Sequence, residues 1–439
     1  MSLPQSHKRL AASGAISLII KGAGAVLSYA MVVAFARLLS ANQYGAFAFG
    51  LNAAIILSTV IGLGFSTGIL RYWPKYVAAA DHASALGVMN LGYRLTLLCG
   101  AGLLILALLI AFTLNLPDWA GTPSLMLATA ALSVAVALGD YSTNLLRAQG
   151  SIITSMLPRD VFWRVFTPGI AFLAMSYGLQ LSASRSLLIA TVVLLALVAW
   201  QALRAHQIAS ENFQNTKPRV DFAAIRQSLM PLWVSSVVFA LIQQFDVVIV
   251  GSMLSKAEAG SYFAAQKTAQ LLSLILIAGG LVTAPSMAAL YHSGRRAELQ
   301  ALCHKLASVI AVATLLGFIA LALLGKFMLA LFDPSFVAAY PILIMLGIGT
   351  VIDAMSGPNA YLMQMTSYES SYMKIMLSCY ALVLVAQVVL IPHFGAQGAA
   401  LASAGGVILW NLSAIFVLRR KAGLDPSLLA LIAPPRQDE

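Results

Sequence analysis

Polar residues break up this chain rarely, and the breaks recur at similar distances. Apolar runs such as Leu97–Phe112 (LLCGAGLLILALLIAF) and Leu187–Trp200 (LLIATVVLLALVAW) are set between short polar turns. A helix needs about 20 mainly apolar residues to cross a bilayer. On that measure the pattern predicts twelve spans, at roughly 12–36, 43–67, 86–112, 124–147, 159–178, 185–205, 229–252, 260–287, 304–325, 338–363, 370–391 and 396–418. The expected fold class is therefore an all-α integral membrane protein of about twelve transmembrane helices. The connectors are short, and none could hold a soluble catalytic domain. The longest, 206–228, is polar and lies midway. It divides the chain into an N-terminal six-helix lobe (1–205), a linker (206–228), a C-terminal six-helix lobe (229–418) and a tail (419–439). The start MSLPQSHKRLAAS is followed by an apolar run too long for a signal peptide and without an A-x-A exit, so a retained first helix is expected.

A repeat is visible across that midpoint. Shifting by 215 residues sets Val32–Phe49 (VVAFARLLSANQYGAFAF) over Val247–Ala264 (VVIVGSMLSKAEAGSYFA). Val32/Val247, Val33/Val248, Leu39/Leu254, Ser40/Ser255 and Gly45/Gly260 match. The same shift sets Asn144 over Asn359 and Gln149 over Gln364. Each match is weak alone, but they share one offset close to half the chain length. Two copies of a six-helix unit keep the same orientation, because six is even. Transporters built from parallel repeats bind substrate between the halves near the midplane. A central cavity between two pseudo-symmetric lobes is the corresponding expectation.

Composition agrees with the pattern. Of 439 residues 60% are hydrophobic and 9% charged, where a soluble domain carries about 25% charged residues. The net charge of +11 reads as topology and not as nucleic-acid binding. With the N-terminus inside, nineteen Lys and Arg fall in inner segments and four (Arg37, Arg185, Lys256, Lys326) in outer ones. That excess places both termini in the cytoplasm. Cys99, Cys303 and Cys379 lie in or beside apolar segments with no CxxC or Cys/His cluster, so no zinc site or disulfide framework is expected.

Ionisable groups within spans are costly unless they face protein or water, so the few present are informative. In the first span Gly14, Ser17, Lys21, Gly24 and Ser28 recur at spacings of three and four and share one face. In the seventh, Ser236, Gln243 and Asp246 form a similar stripe, and the shift maps Lys21 to Ser236, Ser28 to Gln243 and Met31 to Asp246. Asn52, Thr59 and Ser66 line one face of the second span, and Asn52 maps onto Lys267 of the eighth, where Gln270 and Ser273 continue the face. Lys21, Lys267, Asn52, Ser28, Gln243 and Gln270 are candidate cavity residues. Small and hydroxyl side chains are also ordinary packing residues between membrane helices. Arg94 has two readings, cavity wall or inner interface. Arg164, in LPRDVFWR, is read with Arg159, Asp160 and Trp163 as interfacial, with a reach toward the inner mouth. Asp246, Asp140 and Asp353 are candidates for carrying a proton or Na⁺, or for fixed pairing with a base. No Walker A, GxSxG or HExxH sequence occurs, so no enzyme signature and no cofactor is expected beyond H⁺ or Na⁺ coupling.

ARLLSANQYGAFAF (Ala36–Phe49), LFDPSFVAAYPILIMLGIG (Leu331–Gly349) and FGAQGAALASAGG (Phe394–Gly406) resemble, in order and spacing, motifs of the polysaccharide transporters. These are the Wzx-type lipid-linked oligosaccharide flippases of the multidrug/oligosaccharidyl-lipid/polysaccharide exporter superfamily. The resemblance covers nearly the whole chain. It implies a V-shaped pair of six-helix lobes, a cation-lined cavity, and flipping of a polyprenyl-diphosphate-linked glycan to the outer leaflet of a bacterial inner membrane. Membrane lipids, a glycan polymerase and glycosyltransferases are the implied partners, with no nucleic acid. The alternatives are a cation-coupled multidrug exporter of the same superfamily, for which Asp246 argues, and a membrane glycan polymerase or ligase, against which the short outer loops argue.

Overall fold

The structure is a computed structural model. It describes residues 3–113, 122–213, 216–220, 222–365 and 368–428, with side chains for most of these from Ser17 onward. The described residues form α-helices joined by tight turns, with no strand among them. In order these are α1 (Leu3–Leu38), α2 (Ala41–Ile61), α3 (Phe65–Ala78), α4 (His82–Thr113), α5 (Pro123–Ala148), α6 (Ile152–Leu157), a π turn (Pro158–Phe162), α7 (Trp163–Ser176), α8 (Ala183–Asn212), α9 (Phe222–Met253), α10 (Lys256–His292), α11 (Arg296–Phe332), a 3₁₀ turn (Pro334–Ala339), α12 (Tyr340–Met355), α13 (Asn359–Met365), α14 (Glu369–Phe394) and α15 (Ala396–Ala422). Ten segments among the described residues are long and apolar enough to cross a membrane. The protein is a multi-pass all-α membrane protein.

Two expected spans fall outside those ten. The span at 159–178 lies on a rod built in three pieces, α6, the π turn and α7. The span at 260–287 lies inside α10, a helix of 37 residues. Two others are broken where continuous helices were expected. The span at 43–67 stops at Ile61, because Leu63 (φ 48°) and Gly64 (φ 75°) turn left-handed before α3 restarts. The carbonyl of Val60, freed by that stop, accepts from Trp233 Nε1 of α9 at 2.9 Å. The span at 338–363 stops at Met355, and Gly357 (φ 78°) carries the chain into α13. Several other helices run beyond their expected ends, as α11 does with its polar first turns (RAELQALCHK).

The element boundaries follow the 215-residue shift. Leu38 and Met253 end α1 and α9; Ala41 and Lys256 begin α2 and α10. Together α2 and α3 span the counterpart of the unbroken α10. The repeat is thus carried in the order and length of the helices, although the copies break at different places, between α2 and α3 in the first and between α12 and α13 in the second.

The chain divides into two compact units, Met1–Gly260 and Ser261–Glu439. The division comes later than the 206–228 connector, because α9 packs along α2 within the first unit. The first unit is built around α5, which contacts α2, α3, α4 and α8. Tyr141 of α5 is buried and donates to the carbonyls of Val88 (3.2 Å) and Met89 (3.0 Å), opposite Gly92, where a Cβ would collide with the ring. The connector is itself docked: Phe213 packs on Trp73 and His82, and Arg219 N–H donates to Ala83 O at 2.9 Å.

In the second unit the segment after α15, part of the expected tail, is folded in where it is described. Residues 424–427 are buried. The Asp425 carboxylate takes Arg419 Nε at 2.6 Å and the Ser427 N–H at 2.9 Å. Its N–H donates to Gln300 Oε1 at 3.0 Å. A Cβ at Gly357 would collide with the Pro426 carbonyl. Glycine therefore serves twice there, for the left-handed turn and for the approach of this strap. Residues 429–439 lie outside the described residues.

Candidate functional site

The first unit gathers charges where α1 crosses the rod of α6, the π turn and α7. Pro158 is the local cause of the π turn. It has no N–H to give the carbonyl of Thr154, and a π turn relieves the ring's clash with the preceding turn. The Thr154 carbonyl, left without that donor, and the neighbouring Ser155 carbonyl accept from the buried Gln201 Nε2 of α8, at 3.0 and 2.9 Å. Trp163 Nε1 donates to Ala190 O at 2.9 Å and fixes the rod to α8 a second time.

That turn and the first turn of α7 present Asp160 and Arg164 to α1. Lys21 Nζ lies 2.9 Å from Asp160 Oδ2, and Arg164 Nη2 lies 3.5 Å from Asp160 Oδ1. Arg164 Nη1 also donates to the Gly24 carbonyl. A Cβ at Gly24 would sit 2.7 Å from Arg164 Nη1 and 3.1 Å from Asp160 Cβ. An alanine there would require the Arg164 head group to move and α1 to ease back by a few tenths of an ångström. Arg159, on the same rod as Asp160, pairs with Asp140 of the neighbouring α5. The cluster thus holds three cations and two carboxylates. Asp160 is nearly covered, its side chain 9% exposed, whereas Lys21 is 60% exposed. The ammonium is reachable from outside the cluster, and the carboxylate beneath it is not.

The other candidates are dispersed. Ser28 is half-buried on α1, one turn beyond Gly24. Gly14, at the head of that stripe, lies outside the described side chains. Asn52 is buried on α2 and donates to Ala48 O at 2.7 Å. Arg94 is exposed on α4. On α9, Gln243 is exposed and Asp246 buried. Ser236, the counterpart of Lys21, lies 3.4 Å from Thr67 of α3, oxygen to oxygen. In the second unit Lys267 donates to Gln270 Oε1 at 3.0 Å and its Nζ stands 5.2 Å from the Phe263 ring centroid. Asp353 accepts from Asn411 Nδ2 at 2.8 Å, and Asn359 Nδ2 donates to Asn411 Oδ1 at 3.0 Å.

Two residues central to the geometry carried little weight in the sequence. In the sequence Asp160 and Arg159 look like interfacial residues. The available signal was Pro-Arg-Asp-x-x-x-Arg, an acid and a base one turn apart beside a helix-breaking proline. What it could not supply was Lys21 as the third member, because that contact joins residues more than a hundred positions apart.

A family model for "Polysaccharide biosynthesis protein" matches residues 10–291. The chain belongs to this family. No curated protein matches it. Among solved structures it is similar to an inward-facing multidrug resistance MATE family transporter of the MOP superfamily, with TM-score 0.71 and 13% identity over 91% of this chain and 94% of the other. It is similar to the lipid II flippase MurJ in an inward closed conformation, with TM-score 0.64 and 16% identity over 95% and 91%. It is also similar to a MOP superfamily transporter from Pyrococcus furiosus, with TM-score 0.60 and 15% identity over 93% and 94%. The fold is that of the MOP superfamily transporters.

Proposed function

We propose that the protein is a flippase moving a polyprenyl-diphosphate-linked oligosaccharide from the inner to the outer leaflet of a bacterial inner membrane, by alternating access of two lobes and for cell-surface polysaccharide synthesis. The observation that carries this reading is the cluster of Lys21, Arg159 and Arg164, with an excess of positive charge, in a chain of the polysaccharide biosynthesis family. A diphosphate cannot cross hydrocarbon unaided. Ammonium and guanidinium groups in a low-dielectric setting offset its charge and form charge-assisted hydrogen bonds to its oxygens. In this reading Lys21, the reachable cation, makes first contact with the diphosphate, Arg164 supports it, and Lys267 with Gln270 serves in the second unit. Asp246 and Asp353 are proposed to carry any ion coupling. Lipid II is the cargo named for one protein of the same fold, and a lipid-linked glycan is the corresponding cargo here.

The test is a transport assay in proteoliposomes with a fluorescent lipid-linked oligosaccharide. Wild-type protein should expose the glycan on the opposite leaflet, and Lys21→Ala and Lys267→Ala should not. Full transport by both variants would sink the cationic-site reading. The competing reading is a cation-coupled drug exporter, favoured by the buried carboxylate of Asp246 on α9. It expects gradient-driven export of organic cations that Asp246→Asn abolishes.

A further inference from the structure

The cluster poses a problem of release. Lys21, Arg159 and Arg164 together would hold a diphosphate tightly in a weakly polar setting, and a transporter must let its cargo go. Asp160 addresses this. Its Oδ2 occupies the position at Lys21 Nζ that a phosphate oxygen would take, at 2.9 Å. Its Oδ1 stands 3.5 Å from Arg164 Nη2, beyond a good hydrogen bond. Arg164 is held instead by two carbonyls, those of Gly24 and of Asp160 itself at 3.4 Å. The guanidinium is therefore positioned by backbone and only loosely matched by the carboxylate. Asp160 also sits inside the π turn, where one extra residue per turn gives the backbone a local choice of bonding partner. With Lys21 exposed above and Asp160 covered below, an anion arriving at Lys21 meets a carboxylate already in place.

We propose that Asp160 is a resident counter-anion, displaced from Lys21 and Arg164 when a diphosphate binds and returning to eject it. Binding then exchanges one anion for another, and the cations are never left bare in the empty protein. The assignment rests on the reading that this site takes a lipid diphosphate.

The experiment measures binding of inorganic pyrophosphate and of a polyprenyl diphosphate to the purified full-length protein, beside transport. Asp160→Asn should bind both about tenfold more tightly or better, since a charge-assisted competitor is removed, and should transport more slowly. In the background of Lys21→Gln the gain from Asp160→Asn should shrink. Equal or weaker binding by Asp160→Asn, with the unfolding midpoint preserved, overturns the assignment. Should that variant fail to fold, the unaltered protein provides the reading. A hydrophobic carbodiimide should modify Asp160 faster when polyprenyl diphosphate is bound, because the carboxylate has left its cover, and unchanged or slower modification overturns the proposal. A wild-type protein that binds neither ligand overturns the flippase reading and the counter-anion with it. Binding by wild type without a gain in Asp160→Asn overturns the counter-anion alone. A gain for pyrophosphate but not for the lipid assigns the site to a free phosphate compound and overturns the lipid part.

Discussion

Gly45 and Gly260, matched positions of the 215-residue repeat, meet backbone to backbone. A Cβ on Gly260 would lie 3.0 Å from Gly45 Cα, and one on Gly45 would lie 3.1 Å from Gly260 N and collide with the Lys256 carbonyl. The polar patch that interrupts the apolar pattern at Ser40–Gly45 is thus a contact surface. Gln43 Oε1 accepts the Ala183 N–H at 2.7 Å, tying this turn to α8, and Tyr44 is buried beside Phe47.

Gly45→Ala should therefore part the two turns. Overfilling a packed contact costs about 1–3 kcal/mol, and here backbone opposes backbone, so little can yield. A lowered unfolding midpoint and reduced transport are expected. Gly102→Ala on α4, where nothing lies within 4 Å, is the control. It should leave the midpoint unchanged or raise it, because alanine is the better helix former.

Lys256, at the start of α10, gives this turn a pH dependence. Its Nζ donates to Gly251 O at 2.9 Å and stands 3.4 Å from the Phe49 ring centroid. Both contacts favour the charged form, yet burial prevails and lowers its pKa to about 8. The unfolded chain, with lysine near 10.4, binds more protons between those values. Stability should therefore rise with pH from about 8 to about 10 and stay flat below 8. Thermal unfolding across that range should show the rise in wild type and its reduction in Lys256→Gln.

The strap at Asp425 should be a stability element of the second unit. Asp425→Ala leaves Arg419 without its carboxylate and Ser427 without its acceptor. Arg419 keeps some contact with water, so the cost should fall below that of a fully buried pair, at about 2–3 kcal/mol. Denaturation in detergent should report it, and truncation after Gly423 should give a loss at least as large.

Gln201→Leu should act at a distance from the charges. It removes the side-chain donor to the Thr154 and Ser155 carbonyls, at about 1–3 kcal/mol for an unmet acceptor, and frees the π turn that aims Asp160 at Lys21. Weakened pyrophosphate binding with Lys21, Asp160 and Arg164 intact is the expected outcome of the titration.

The stripe of Lys21, Gly24 and Ser28 was legible in the sequence because helical spacing is a local property. The structure adds that this face is also where α1 meets the π turn, so cationic site and packing surface coincide at Gly24. The breaks at Gly62–Gly64 and Ser356–Pro358 were passed over. Apolar residues flank both, and hydropathy over a window does not register a left-handed glycine, although SGPN at 356–359 is a turn sequence. Asn52 read as a cavity residue from its spacing with Thr59 and Ser66. Spacing fixes which residues share a face and not what that face meets: Asn52 is buried, whereas Thr59 and Ser66 are half-buried. Asp140 showed as an intramembrane acid, but its partner Arg159 lies on another rod, and no periodicity links the two.

Transport by Lys21→Ala tests the account most directly. Protein reconstituted with a fluorescent polyprenyl-diphosphate oligosaccharide is assayed for its arrival in the opposite leaflet. Wild-type protein should move it and Lys21→Ala should fall by about tenfold or more, the loss of one charge-assisted contact, at an unchanged level of folded protein in the membrane. Transport by Lys21→Ala at the wild-type rate would contradict the account.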